Sequence, residues 1–132
     1  MKLKIYADGA CSGNPGIMGI GIVIISEGSV LKSVSEKKGF GTNNRAEYLA
    51  IIRALEEAHR LKADDTVIFS DSQLIVSQLN KKYNIKSSEL RNLAEKVYAL
   101  SKNFKSIKFE WTSRAKNSDA DTLAKEATKK KL

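Results

Sequence analysis

The stretch Lys2-Leu3-Lys4-Ile5-Tyr6-Ala7 alternates polar and apolar residues, which predicts a strand with one face on a core and Asp8 near its carboxyl end. Gly13-Asn14-Pro15-Gly16 then reads as a turn. Apolar runs from Gly19 to Ile25 and from Val30 to Val34 flank Ser26-Glu27-Gly28-Ser29, the pattern of a hairpin, so three antiparallel strands open the chain. Gly39 to Asn44 reads as a loop ending in helix-capping residues. Ala46, Leu49, Ala50, Ala54, Leu55 and Ala58 recur at helical spacing and predict a helix from about Asn43 to Leu61, with Glu47 in its first turn.

Asp64-Asp65 reads as a turn, Thr66 to Ser70 as a buried strand leading to Asp71, and Ser72 to Leu79 as a short helix begun by Asp71 or Ser72. Lys81 to Lys86 is polar and basic, with Tyr83 and Ile85 set into it. Ser87-Ser88 caps a further helix marked by Leu90, Leu93, Ala94, Val97 and Leu100. Ile107 to Trp111 alternates as a strand. After a loop from Thr112 to Ser118, Ala120, Leu123, Ala124 and Ala127 mark a last helix, and the chain ends in Lys129-Lys130-Lys131-Leu132. The order β-β-β-α-β-α-α-β-α predicts an α/β fold with a mixed sheet, its antiparallel strands preceding parallel strands joined by helices. No repeat or linker interrupts the 132 residues, which fit a single domain spanning 1–132.

With 42% hydrophobic and 29% charged residues, the composition is that of an ordered protein. Cys11 is the only cysteine and has no internal disulfide partner, which fits a reducing compartment. Together with the lack of a leader-like or long apolar run, this sets the expectation of a cytoplasmic protein with no membrane partner. The net charge of +8 is uneven: from Lys81 to Lys108, eight cations stand against Glu89 and Glu95. Such a surface suits nucleic acid, although a lysine-rich surface also serves solubility.

Four acids stand out against this basic background. Asp8 and Asp71 follow predicted strands, and open α/β sheets place ligands at the carboxyl ends of strands. Glu47 and Asp121 begin predicted helices. Each has an ordinary explanation alone: Asp8 as a turn residue beside Gly9, Glu47 as an acid favoured by the helix dipole, and Asp121 as the third position of a capping box in Ser118-Asp119-Ala120-Asp121. Gathered in one place, they would raise one another's pKa unless cations sat between them. Hard oxygen donors suit Mg²⁺ or Mn²⁺, and two such ions roughly 3.5–4 Å apart can activate water and stabilise a leaving oxygen at phosphorus.

Four blocks carry a resemblance to a known family. They are Tyr6-Ala7-Asp8-Gly9 with Gly13-Asn14-Pro15-Gly16, then Thr42-Asn43-Asn44-Arg45-Ala46-Glu47, then Ser70-Asp71-Ser72-Gln73, and last the segment from Asn117 to Ala124, which reads Asn-x-x-Ala-Asp-x-Leu-Ala. In this order, over nearly the whole chain, they resemble the signature blocks of type 1 ribonuclease H. The resemblance implies the ribonuclease H-like fold, with a five-stranded mixed sheet, and an endonuclease that cuts the RNA strand of RNA/DNA hybrids to leave 5′-phosphate and 3′-hydroxyl ends. It implies two Mg²⁺ ions, with Mn²⁺ as a substitute. Asp8 would be shared between them, Glu47 and Asp71 would hold one, and Asp121 would help to hold the other. Cys11, Asn14, Asn43, Asn44 and Gln73 align with contacts to RNA sugars or base edges, and Thr42 with a contact to a DNA-strand phosphate.

The chain departs from the best-known bacterial pattern. The interval from Asp71 to Asp121 is too short for an extra basic helix, and Arg114 stands in the loop where those relatives carry a Gly-His element, as in compact relatives. Arg114 is therefore expected to assist the acids electrostatically, and His59, late in its helix, to be a surface residue. Lys81, Lys82, Tyr83 and Lys86 are expected to meet the DNA strand, with Tyr83 alternatively packing on the helix beneath it. Two other functions fit the same fold: a catalytically idle module holding hybrid or double-stranded RNA, and a resolvase-like nuclease. The full set of carboxylates argues against the first, and the asparagine and glutamine positions favour RNA over the second. The expected form is a monomer, with double-stranded RNA as a second candidate substrate.

Overall fold

Three long strands, β1 (Lys2–Gly13), β2 (Gly16–Ser26) and β3 (Ser29–Gly41), form an antiparallel meander in the computed structural model, which describes residues 1–130. Lys131 and Leu132, the end of the C-terminal lysine run, lie outside the described residues. Beyond β1 the sheet continues with the parallel strands β4 (Asp65–Ser70) and β5 (Ser106–Trp111), giving the order β3-β2-β1-β4-β5. The helices are α1 (Asn43–Arg60), α2 (Gln73–Leu79), α3 (Ser88–Ser101) and α4 (Ser118–Thr128). This is the five-stranded mixed sheet expected.

The first and third strands outrun their hydrophobic signal. β1 continues past Ala7 to Gly13 because Gly9, Cys11 and Gly13 still complete the ladder with Ile20, Met18 and Gly16 of β2. β3 continues past Val34 and takes in Gly39-Phe40-Gly41, which reads as a loop; as an edge strand it needs only one neighbour, so its polar stretch around Lys37 still pairs. Asp8 thus lies in mid-strand rather than near a strand end. The parallel ladder to β4, however, stops at Tyr6 and Phe69, so Asp8 sits just where its neighbour has ended.

The sheet buries both faces differently. Leu3, Ile5 and Ala7 with Ile20, Ile22 and Ile24 form a core with Tyr48, Ile51 and Leu55 of α1. Each large side chain buried there contributes about 1.5–3 kcal/mol. On the other face α4 lies almost against the backbone of β2: a Cβ at Gly21 would fall 2.3 Å from the Ala120 carbonyl oxygen, and one at Gly19 would fall 2.3 Å from that of Ala124. Glycines there bring the helix carrying Asp121 close to β1.

Helix ends differ from expectation in two places. Thr42 caps α1 by accepting from the Arg45 N–H at 3.3 Å, leaving Asn43 and Asn44 as the first two helical residues rather than caps. Ser72 caps α2 and Ser87 caps α3. The capping box expected in Ser118-Asp119-Ala120-Asp121 does not form. α4 starts one residue earlier, at the cap position Asn117, whose side chain makes no capping bond. Asp121 stays in the first turn of α4, and its side chain lines the site instead of capping the helix. At the far end of α1, the buried Glu57 accepts from Lys32 of β3 and Arg53 at 2.8 Å each and pairs with Arg60, which pins the helix to the sheet.

Candidate active site

Asp8, Glu47 and Asp71 converge, each offering a carboxylate oxygen within 4.8 Å of the others. β1 supplies Asp8, α1 supplies Glu47 from its second turn rather than the expected first because the helix begins at Asn43, and the residue after β4 supplies Asp71. The N–H of Gly9 donates to Glu47 Oε1, and a Cβ at Gly9 would collide with the backbone of Ala46 and Glu47, so glycine lets α1 press against β1 here. Asp121 stands beside this group with Oδ2 held by Lys125 Nζ at 3.0 Å, one helical turn on. All four acids line one open polar cavity of about 450 Å³, together with Cys11, Asn43, Asn44, Arg114 and Lys125.

The electrostatics divide the cluster. Burial, then the neighbouring Glu47 carboxylate and contacts with Asp121 and Asp71, push the Asp8 carboxyl far above the ordinary carboxylate range. Burial also pushes Glu47 up, against the Gly9 N–H, which favours its charged form. The two form a buried pair that binds a proton when no cation is near. Asp121 goes the other way: despite burial, Lys125 chiefly, then Asp8 and Arg114, hold it below its usual value.

The remaining expected residues are spread around this cavity and beyond it. Arg114 lies at the rim with its side chain 91% exposed, Nε 4.0 Å from Asp71 Oδ2. Cys11 donates through Sγ to the Gly41 carbonyl at 3.0 Å, and Asn14 Oδ1 accepts from the Asn43 N–H at 3.2 Å, tying the turn to the start of α1. Asn14, Thr42, Asn43 and Asn44 share a second polar cavity of about 430 Å³ with Ser87 and Glu89. Gln73, Lys82 and Tyr83 line a groove with Leu74 and Trp111, whose indole N–H donates to the Asp71 carbonyl at 3.3 Å. Tyr83 is 61% exposed and also borders α3, beside Ala94 and Tyr98. Lys81 turns away and places Nζ 5.1 Å from the Tyr98 ring centroid, and Lys86 is exposed in the loop before α3. His59 is exposed against the edge of Phe104, about 18 Å along α1 from Glu47.

Three residues join the site that are not among those expected from the sequence. Lys125 stands four positions after Asp121, a spacing that pairs side chains on a helix. Trp111 reads from the sequence only as the end of a strand. Asn117 reads only as part of a motif, yet it is fully buried and donates to the Ala7 carbonyl at 3.1 Å.

Comparison with known proteins gives this geometry a family. The profile of the reverse transcriptase-like family matches residues 6–127. A bifunctional protein of Mycobacterium tuberculosis is 38% identical over 129 residues, covering 96% of this chain and 35% of that protein. The chain thus spans about a third of the length of the mycobacterial relatives it matches. A ribonuclease H of Geotalea uraniireducens is 36% identical over 142 residues, covering 96% of this chain and 94% of that one. The crystal structure of RNase H1 from the archaeon Halobacterium salinarum is similar with a TM-score of 0.95 at 35% identity, over 98% of each chain. LC11 RNase H1, solved in complex with an RNA/DNA hybrid, gives 0.91 at 38% identity over 96% of each chain. The chain belongs to the type 1 ribonuclease H family, in the compact form in which only α2 and α3 intervene between β4 and β5. Among the described residues no helix is long and apolar enough to cross a membrane.

Proposed function

We propose that this protein is an endonuclease that hydrolyses the RNA strand of RNA/DNA hybrids with the help of two divalent cations. The observation that carries the reading is the convergence of Asp8, Glu47 and Asp71 within 4.8 Å, two of them buried. Buried carboxylates without basic partners are costly unless protonated or bound to metal, and an all-oxygen donor set fits Mg²⁺, with Mn²⁺ as a substitute. Asp8 would be shared between two ions, Glu47 and Asp71 would complete one site, and Asp121 would contribute to the other. When bound, such ions polarise the phosphate and activate water for attack at phosphorus, which leaves 5′-phosphate and 3′-hydroxyl ends.

The chain's own residues would then hold the duplex. Asn43 and Asn44 at the start of α1, Asn14 in the adjoining turn, and Gln73 at the start of α2 flank the acids, where amide groups can exchange hydrogen bonds with a ribose 2′-hydroxyl and base edges. Cys11 lies on the same wall. Thr42, in a cavity onto which both α1 and α3 open their N-termini, is suited to a DNA-strand phosphate. Tyr83 and Lys82 would extend the DNA contact along the groove beside Trp111. Arg114 would steady phosphate or product at the rim as a permanent cation.

A substrate panel tests the reading. Labelled RNA/DNA, RNA/RNA and DNA/DNA duplexes would be incubated with Mg²⁺, Mn²⁺ or EDTA, and the expected result is metal-dependent cutting of RNA in the hybrid. Cutting of all-DNA duplex, or binding of hybrid with no cutting under any metal, would overturn it. Cleavage of RNA/RNA in the same panel would add double-stranded RNA as a second substrate.

A further inference from the structure

Glu89 puts a negative charge into a cavity proposed to receive a phosphate. It is the one charged residue lining the space it shares with Asn14, Thr42, Asn43, Asn44 and Ser87. Its carboxylate lies 3.4 Å from Arg45 Nη1, and Arg45 donates its backbone N–H to the Thr42 hydroxyl. Phosphate contact, arginine and acid thus form one connected group. The side chains of the pair are 44% and 57% exposed, so water and ions compete for it and it opens readily. Arg45 Nε is buried without a partner, so Glu89 meets the guanidinium only through Nη1.

We propose that Glu89 is an affinity-setting latch: it holds Arg45 in the free protein and yields that arginine to the DNA-strand phosphate when substrate enters. The inference rests on the reading of Thr42 as a phosphate contact. Carboxylate and phosphate compete for the same planar donor set, and arginine can take a phosphate through two parallel bonds. An acid fixed beside the entering backbone also repels it, so Glu89 weakens substrate capture without touching the chemistry at Asp8. Its expected mark is a change in KM and in salt dependence, with kcat untouched.

The test is hybrid cleavage in Mg²⁺ over a range of substrate and salt concentrations, for the wild-type protein, Glu89→Gln, Glu89→Ala, Glu95→Gln, Arg45→Ala and the double variant Arg45→Ala with Glu89→Gln. Both Glu89 variants are expected to lower KM by about 3–10-fold, the size of an exposed charge interaction, and to leave kcat within twofold. The salt dependence of kcat/KM should steepen by less than roughly 0.9, the increment for a whole neutralised phosphate, because Arg45 already meets that phosphate in the wild-type complex. Glu95→Gln makes the same charge change further along α3 and should shift KM less than twofold. With Arg45 absent, Glu89→Gln should bring only the part of the gain that comes from relieved repulsion, seen by comparing the double variant with Arg45→Ala. An unchanged KM in both Glu89 variants, an equal gain from Glu95→Gln, or a full gain without Arg45 would overturn the latch and leave the ribonuclease reading standing. Absence of hybrid cleavage by the wild-type protein would overturn the reading itself.

Discussion

The side-chain amide of Asn117 donates to the carbonyl of Ala7 at 3.1 Å, joining the start of α4 to the residue before Asp8. Through that bond the helix that carries Asp121 is registered against the strand that carries Asp8. Asn117 is fully buried, and its Oδ1 has no hydrogen-bond partner, so the site bears the cost of a buried acceptor to keep this donor in place.

Asn117→Ala should therefore do more than weaken the fold. It leaves the Ala7 carbonyl unpaired, for about 1–3 kcal/mol of stability, and lets α4 drift. A shift of this kind in an active site costs on the order of a hundredfold in rate. Thermal melts and hybrid cleavage would check both. Asn117→Asp, which keeps the shape but replaces the donor with a second acceptor, should be no better than alanine. Full activity in either variant would remove Asn117 from the positioning of the acids.

Arg114 and His59 give opposite expectations. Arg114→Ala should slow turnover roughly ten- to a hundredfold, about 1.4–2.7 kcal/mol of barrier, with folding unchanged because its side chain is 91% exposed. The pH-rate profile should keep its shape, since a guanidinium does not titrate in the working range. His59→Ala should be close to silent, as it lies on the exposed far part of α1. A large loss in His59→Ala, measured by steady-state kinetics, would show that the supporting role belongs to the histidine.

The pH dependence of metal-free stability follows from the acids. Asp8 and Glu47 have folded-state values raised above 3.8 and 4.5, so the folded protein holds protons that the unfolded chain has released. Their contribution to stability is complete below the unfolded values and is lost as pH rises through the folded ones. Glu57, held down to about 2 by Arg60 and then Lys32 and Arg53, works in the other direction: its contribution is present above 4.5 and is lost as pH falls towards 2. In EDTA the melting temperature should therefore peak in mildly acidic buffer and fall towards pH 9. Asp8→Asn should flatten the alkaline side, and Mg²⁺ or Mn²⁺ should raise the melting temperature more at pH 8 than at pH 5. Melting curves with no slope above neutrality would contradict a strained acidic pair.

Much of this was legible in the chain because it rests on local pattern. The helical spacing of Ala46 to Ala58 and the alternation before Asp8 predict α1 and the start of β1, and the four acids stand in the four blocks that the resemblance uses. What escaped depends on pairing between distant segments. Gly39-Phe40-Gly41 looks like a loop until Ile17 and Gly16 are laid beside it. Ser118-Asp119-Ala120-Asp121 looks like a capping box until Asn117 is drawn to Ala7, which moves the helix start. Lys125 and Trp111 acquire a place only when α4 and β5 are docked beside Asp121 and Asp71.

Hydrolysis of RNA opposite DNA at these carboxylates is tested on a single mixed substrate. A DNA duplex carrying a short internal run of ribonucleotides would be incubated with Mg²⁺ and the wild-type protein, Asp8→Asn or Asp71→Asn, and the product ends would be identified. The expected result is cuts confined to the ribonucleotide run, 5′-phosphate and 3′-hydroxyl ends, and no cleavage by either variant although both remain folded. Cleavage outside the run, a 2′,3′-cyclic phosphate product, or wild-type rates in Asp8→Asn would contradict it.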